Sequence, residues 1–206
     1  MSGALEKVRD YYSGTLARHG PTPLGVDWPS AASQYLRFVQ LLKICDFAKP
    51  FTLNDLGCGY GALLGYFELR HPGASIAYHG VDVSPQMVEA GRSLWLRRKP
   101  ATEFSVGSEC RTPADYSVAS GIFNVRLGCP TGEWEAYVGS VLRGLRENSK
   151  VGFSVNFMLP ARAASEESLY GTLPERWIDF CERELACTTE QVAAYGLREF
   201  TLLARV

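Results

Sequence analysis

Apolar residues recur every three or four positions over residues 1–19. Leu5, Val8, Tyr12 and Leu16 share one face, and the spacing predicts a helix. Gly20-Pro-Thr-Pro23 breaks it, and residues 24–29 read as an irregular link. Ser30 is placed to cap a second helix from about Ala31 to Phe47, with Tyr35, Phe38, Val39 and Leu42 as its buried stripe. Beyond residue 50 the period changes. Short apolar runs at 51–56, 76–82, 104–106, 114–120 and 150–158 read as strands. Helical stripes separate most of them: one opening at Ala62, Leu63, Tyr66 and Phe67, one over 85–98, and one from Glu133 to Glu147. The last carries Trp134, Tyr137, Val141, Leu142 and Leu145. Ser84 is the expected N-cap of the 85–98 helix, with Pro85 at its first turn, where a missing N–H is harmless. Residues 160–173 are polar and read as a loop able to reach over a pocket. A helix from Pro174 to Leu185 follows. Two last strands, about 187–194 and 198–206, flank the hairpin-length connection Tyr195-Gly196-Leu197. Strand–helix alternation closed by a hairpin predicts an α/β fold, a doubly wound, mostly parallel seven-stranded sheet with two helices added at its N-terminal side.

The 206 residues are expected to form one domain, with 1–48 as a helical cap and 49–206 as the sheet-bearing core. A formal net charge of −1 gives no basic footprint for nucleic acid or an anionic membrane. The N-terminal residues lack a basic-then-apolar leader pattern and no apolar run approaches a membrane span, so a cytoplasmic location is expected. The basic group Arg97-Arg98-Lys99 suits the end of a helix better than a nucleic-acid patch. The six cysteines include no C-x-x-C pair, and His19, His71 and His79 have no clustered partners, so no metal is expected. An exposed strand edge could pair two copies into a homodimer.

The chemistry concentrates in Asn54-Asp-Leu-Gly-Cys-Gly-Tyr-Gly61. Gly57, Gly59 and Gly61 form a turn between strand and helix, the place where a nucleotide can lie against backbone. Gly57, Gly59 and Ala62 also satisfy the dinucleotide spacing G-x-G-x-x-G/A. Asp55, two residues before the first glycine, argues against a pyrophosphate, which it would repel, and for a cationic ligand. S-adenosylmethionine carries an ammonium and a sulfonium and no phosphate. Asp82 ends the next strand, where an acid in a doubly wound sheet bonds ribose hydroxyls.

D-L-G-C-G-Y-G resembles the first motif, E/D-x-G-x-G-x-G, of class I S-adenosylmethionine-dependent methyltransferases. G-V-D-V-S-P-Q-M at 80–87 resembles the second. The segment G-V-D-W-P-S-A-A-S-Q-Y-L-R-F at 25–38 is similar to small stand-alone bacterial methyltransferases. The resemblance implies a Rossmann-like core and S-adenosylmethionine as cofactor. It implies cofactor contacts from Asp55, Leu56, Gly57, Cys58, Gly59, Gly61, Asp82, Val83 and Met87. Ser108 and Glu109 would face the adenine, although an acid that bonds its amine has no clear counterpart. Ser120 and Gly121 would line the methyl end. Arg37 could hold the methionine carboxylate bidentately. Tyr11, Tyr12, Trp28, Phe123 and Asn124 fall on the acceptor side.

A sulfonium is a good leaving group, so alignment of acceptor, methyl and sulfur is the main task of the protein. Where a base is needed, His19 and Asp27 are the candidates, and Asn124 could orient an acceptor or the methionine portion by hydrogen bonds. The N-P-P-Y or D-P-P-Y string associated with amide and exocyclic-amine methylation is replaced by S-G-I-F-N, which favours a small-molecule acceptor methylated on O, N or carboxylate. A binding protein without turnover and a NAD-linked oxidoreductase remain as alternatives.

Overall fold

The computed structural model describes residues 2–97, 101–160 and 168–206. Two helices, α1 (Ser2–His19) and α2 (Ala31–Leu41), precede the first strand, joined by a 3-10 turn at Pro23–Val26. The rest runs β1 (Phe51–Leu56), α3 (Ala62–Arg70), β2 (Ile76–Asp82), α4 (Pro85–Trp95), β3 (Thr102–Val106) and β4 (Ala114–Ala119). It continues with α5 (Thr131–Glu147), β5 (Ser149–Met158), α6 (Pro174–Arg183), β6 (Thr188–Val192) and β7 (Glu199–Arg205). The seven strands form one sheet in the order β3-β2-β1-β4-β5-β7-β6. The first five are parallel, and β7 runs antiparallel between β5 and β6. The α/β, doubly wound, seven-stranded sheet with N-terminal helices is therefore as the periodicity predicts.

Each sheet face carries its own core. Leu53, Tyr78, Phe104, Tyr116 and Val118 pack with Phe38, Leu63, Phe67 and Trp95 on one side. Phe153, Val155, Phe157, Phe200 and Leu202 pack with Trp134, Leu142 and Trp177 on the other. Alternate side chains of a strand point to opposite faces, so one strand feeds both cores. Chain order 3-2-1-4-5 means that the direction of strand addition reverses between β1 and β4. A crevice opens at the carboxyl ends of the strands at such a switch point.

Several boundaries differ from the periodicity. Helix α2 ends at Leu41, followed by a 3-10 turn at Leu42–Ile44, and it buries Gln34, Arg37, Phe38, Gln40 and Leu41 while Val39 is exposed. Its buried face is half polar because it lies on polar positions of β5 and β7. Ser154 Oγ donates to the Leu41 carbonyl at 2.8 Å, and Arg37 pairs with Glu199. Helix α4 ends at Trp95 rather than residue 98; Arg98 and Lys99 lie outside the described residues. So do 161–167 of the expected polar loop. Its remaining residues return beside β5, where Gly171 bridges Met158.

A cavity at the strand switch point

The turn after β1 is held by its own neighbours. The Gly57 and Cys58 amides both donate to the Val81 carbonyl, at 2.7 and 3.1 Å, and Gly61 N–H donates to the Cys58 carbonyl at 2.9 Å. Gly59 N–H donates to Asp82 Oδ2 at 2.9 Å. With these four amides engaged, the turn is not an anion nest. Its glycines serve packing and backbone shape. Gly57 has φ +74, and a Cβ there would stand 2.1 Å from Ile122 Cγ2; one at Gly59 would meet Val26 Cγ1 at 2.9 Å. At Gly61 it would meet the rings of Phe104 and Trp95, away from the crevice.

Two acids stand at the strand ends. Asp55 is buried and accepts the Tyr78 hydroxyl at 2.6 Å. Burial pushes its pKa up to about 7; the Tyr78 hydrogen bond opposes the shift and Asp82 adds to it. Asp82 is also buried, and burial raises its pKa against hydrogen bonds from the Ser84 and Gly59 amides. Ser84 caps α4 as the sequence predicts, accepting the Met87 amide at 3.2 Å. The two carboxylates thus share one small region at the strand ends, and each loses hydration that a cation could replace.

Around them lies a cavity of about 920 Å³, counting the space at its mouth that opens to solvent. Asp55, Leu56, Gly57, Cys58 and Gly59 form its floor, with Ala62 and Leu63 from α3. Asp82, Val83 and Met87 line one side, as do Gly107 and Ser108 after β3 and Ser120, Gly121 and Ile122 after β4. The N-terminal helices cover it with Leu5, Val8 and Tyr12 from α1, Val26 and Trp28 from the link, and Gln34 and Phe38 from α2. Trp134 and Tyr137 of α5 complete the wall. Helix α1 is fastened over the site by Ser13 Oγ, 2.9 Å from Ser84 Oγ, and by Thr15 Oγ1 donating to the Gly25 carbonyl at 2.8 Å.

The structure therefore brings together Asp55, Leu56, Gly57, Cys58, Gly59, Asp82, Val83, Met87, Ser108, Ser120 and Gly121, with Tyr12 and Trp28. Other expected site residues stand elsewhere. Arg37 cannot offer a free fork to a carboxylate, because Nε and Nη2 both donate to Glu199 and Nη1 to the Ser33 carbonyl. His19 is exposed at the end of α1, and its carbonyl accepts the Thr22 hydroxyl. Asp27 accepts the Tyr11 hydroxyl at 2.7 Å on the outer surface, which removes both from the wall. Glu109 is exposed and pairs with Arg111. Phe123 is fully buried, stacked 5.0 Å from Phe157. Asn124 is buried behind Gly121, whose carbonyl accepts its backbone N–H at 3.3 Å, and does not line the wall. Gly61 faces the α4 side.

Leu5, Val8, Gln34, Phe38, Ile122, Trp134 and Tyr137 line the wall without having been assigned to the site from sequence. Apolar stripes alone assign such residues to the core. A signal existed only for Gln34, a polar residue one turn from Phe38 on a face that packs inward.

The residues present fit S-adenosylmethionine. Two buried carboxylates await cations or hydroxyls, and Ser120 Oγ is buried without a protein partner, a group left for a ligand to satisfy. Residues 54–148 match the family described as a methyltransferase domain. With this sheet order and this site, the chain belongs to the class I S-adenosylmethionine-dependent methyltransferases. Among its relatives is a Mycobacterium tuberculosis protein, Rv1506c, provisionally named a methyltransferase. It is 42% identical over 166 residues, 80% of this chain and 98% of the relative. In fold, the chain is similar to magnesium protoporphyrin IX methyltransferase from Synechocystis PCC 6803, solved with bound S-adenosylhomocysteine. That match has a TM-score of 0.70 and 15% identity, covering 98% of this chain and 99% of that one. Human N-acetylserotonin methyltransferase, solved with S-adenosylmethionine, is similar at a TM-score of 0.59 and 16% identity, covering 99% of this chain and 64% of that one.

Proposed function

We propose that the protein methylates a small, uncharged and largely apolar acceptor that enters beneath the N-terminal helices. One observation carries this. The wall away from the strand ends is aliphatic and aromatic, built from Leu5, Val8, Tyr12, Trp28, Phe38, Trp134 and Tyr137, and no Lys, Arg or His lines the cavity among the described residues. The only charged groups an anionic acceptor would meet on the described wall are Asp55 and Asp82, whereas a planar apolar one gains buried area against the aromatic residues.

S-adenosylmethionine, when bound, supplies an electrophilic methyl group and a thioether leaving group. Asp55 and Asp82 would hold the cationic and hydroxyl-bearing parts of that cofactor, and Ser120 Oγ would add a hydrogen bond. Trp28, Tyr12 and Phe38 hold the acceptor from above. Tyr12 and Tyr137 both have pKa values raised by burial, Tyr137 to about 12, so they orient by hydrogen bonding and remain protonated. Helix α1 and the Trp28 link keep water from the reacting atoms. With no base on the described wall besides the two acids assigned to the cofactor, rate comes chiefly from alignment.

The test is a methyl-transfer screen with labelled S-adenosylmethionine against paired aromatic and heteroaromatic hydroxyls, amines and carboxylates. Label in neutral acceptors and none in their charged counterparts is the expected result. Exclusive labelling of carboxylates or of nucleic acid would overturn the proposal.

A further inference from the structure

Five residues form a closed circuit between the N-terminal cap and the sheet. Arg37 on α2 donates through Nε to Glu199 Oε2 at 2.8 Å and through Nη2 to Oε1. Glu199, the first residue of β7, also accepts Asn156 Nδ2 at 3.0 Å. Asn156, on β5, accepts the Gly121 N–H on its own Oδ1 at 2.7 Å. Gly121 has φ +74, and a Cβ there would stand 2.5 Å from Trp28 Cζ2, so its backbone closes against the benzene edge of the indole. The Arg37 guanidinium carbon lies 3.8 Å from the centroid of the Trp28 ring and completes the circuit. Trp28 and Gly121 line the cavity; Arg37, Glu199 and Asn156 are buried behind it.

Stability alone is a weak reason for this arrangement. Two charges taken out of water recover their hydration only through excellent geometry, and a well-packed apolar pair of similar volume is often as stable or more so. A buried pair does fix geometry, since each donor has one acceptable place. Here the run of contacts has the Trp28 indole at one end and the Gly121 amide at the other, and both shape the cavity wall.

We infer that Arg37, Glu199 and Asn156 are positioning residues that lock the Trp28 indole and the Gly121 amide against each other and thereby set the ligand affinity of the cavity. The inference rests on the methyltransferase reading only for the choice of ligand.

The test uses S-adenosylhomocysteine as probe, by calorimetry, on wild type, Trp28→Phe, Arg37→Met/Glu199→Met and the triple variant. The Met pair is expected to fold, to melt several degrees below wild type because Asn156 Nδ2 loses its acceptor, and to bind about tenfold more weakly, within the range of one cation–π contact. Trp28→Phe should weaken wild type comparably and add little in the Met background. Wild-type affinity in the Met pair, or an effect of Trp28→Phe that is absent or additive, overturns the inference. Glu199→Gln, nearly isosteric, serves where the Met pair does not fold. Its Gly121 amide and Trp28 indole resonances should move together and the Gly121 amide should exchange faster; unmoved resonances overturn the inference too. Failure of wild type to bind the probe would instead strike the assigned ligand, and the ligand-free resonances would still decide the positioning role.

Discussion

Tyr78 places its hydroxyl 2.6 Å from Asp55 Oδ2 and donates to a carboxyl that the fold has removed from water. Burial raises the Asp55 pKa to about 7, the Tyr78 hydrogen bond pulls it back by favouring the ionised form, and Asp82 pushes it further up. A cationic ligand favours ionised Asp55, so binding is linked to release of a proton. S-adenosylmethionine affinity is expected to be level above pH 7 and to fall as pH drops below it. Tyr78→Phe should move that midpoint upward. Calorimetry in two buffers of different ionisation heat at pH 7 measures the released proton. Equal heats in both buffers would remove Asp55 from the cofactor site.

The same shift has a consequence for stability. The folded pKa, about 7, exceeds the ordinary aspartate value of 3.8. The folded chain therefore holds a proton between those values that the unfolded chain has lost, and stability falls as pH rises through that window. Asp55→Asn removes the titration while keeping an oxygen for Tyr78. The variant is expected to melt several degrees above wild type at pH 8, near it at pH 4, and to lose cofactor affinity. Each kcal/mol recovered is worth about 2–4 °C at this chain length. Thermal melts at the two pH values check the sign; a lower melting temperature at pH 8 would contradict it.

Much of the strand-end half of the cavity was legible in sequence, because a turn, its acids and a helix cap are local. Asp55, Gly57, Gly59 and Asp82 fall within 28 residues, and the alternation of strands and helices places them at the carboxyl ends of neighbouring strands. The half of the cavity beneath the N-terminal helices was not legible. Its wall joins α1, α2 and α5, and an apolar stripe reads the same whether it faces core or cavity. Arg37 shows the limit sharply: its partner Glu199 lies 162 residues away, and no local pattern announces the pair. Asn156 did carry a hint, a polar side chain inside the apolar run Phe153–Met158.

The turn after β1 should tolerate no side chain at Gly57. Alanine there combines a left-handed φ with a Cβ 2.1 Å from Ile122 Cγ2. The backbone term alone is about 1–2 kcal/mol, and relief of the clash must move a residue that lines the cavity. Gly57→Ala is expected to lower the melting temperature by about 4 °C or more and to weaken cofactor binding. Gly144→Ala is the control, inside α5 with nothing within 4 Å of the added carbon. It should be neutral or gain up to about 1 kcal/mol. Equal melting temperatures for the two variants would show that the turn can relax.

Ser120 separates folding from binding. Its Oγ is buried, has no protein partner, and belongs to a residue on the cavity wall. An unsatisfied buried hydroxyl costs about 1–3 kcal/mol, whereas a hydrogen bond to a ligand returns about 0.5–1.5 kcal/mol. Ser120→Ala should therefore leave the ligand-free protein as stable as wild type or more so, and bind S-adenosylmethionine about three- to tenfold more weakly. The two effects have opposite sign, which a general packing defect cannot produce. Melting of the ligand-free variant and calorimetry with the cofactor give both numbers on one preparation. A loss of stability with unchanged affinity would mean that Ser120 supports the loop after β4 and that the cofactor finds its hydrogen bonds elsewhere.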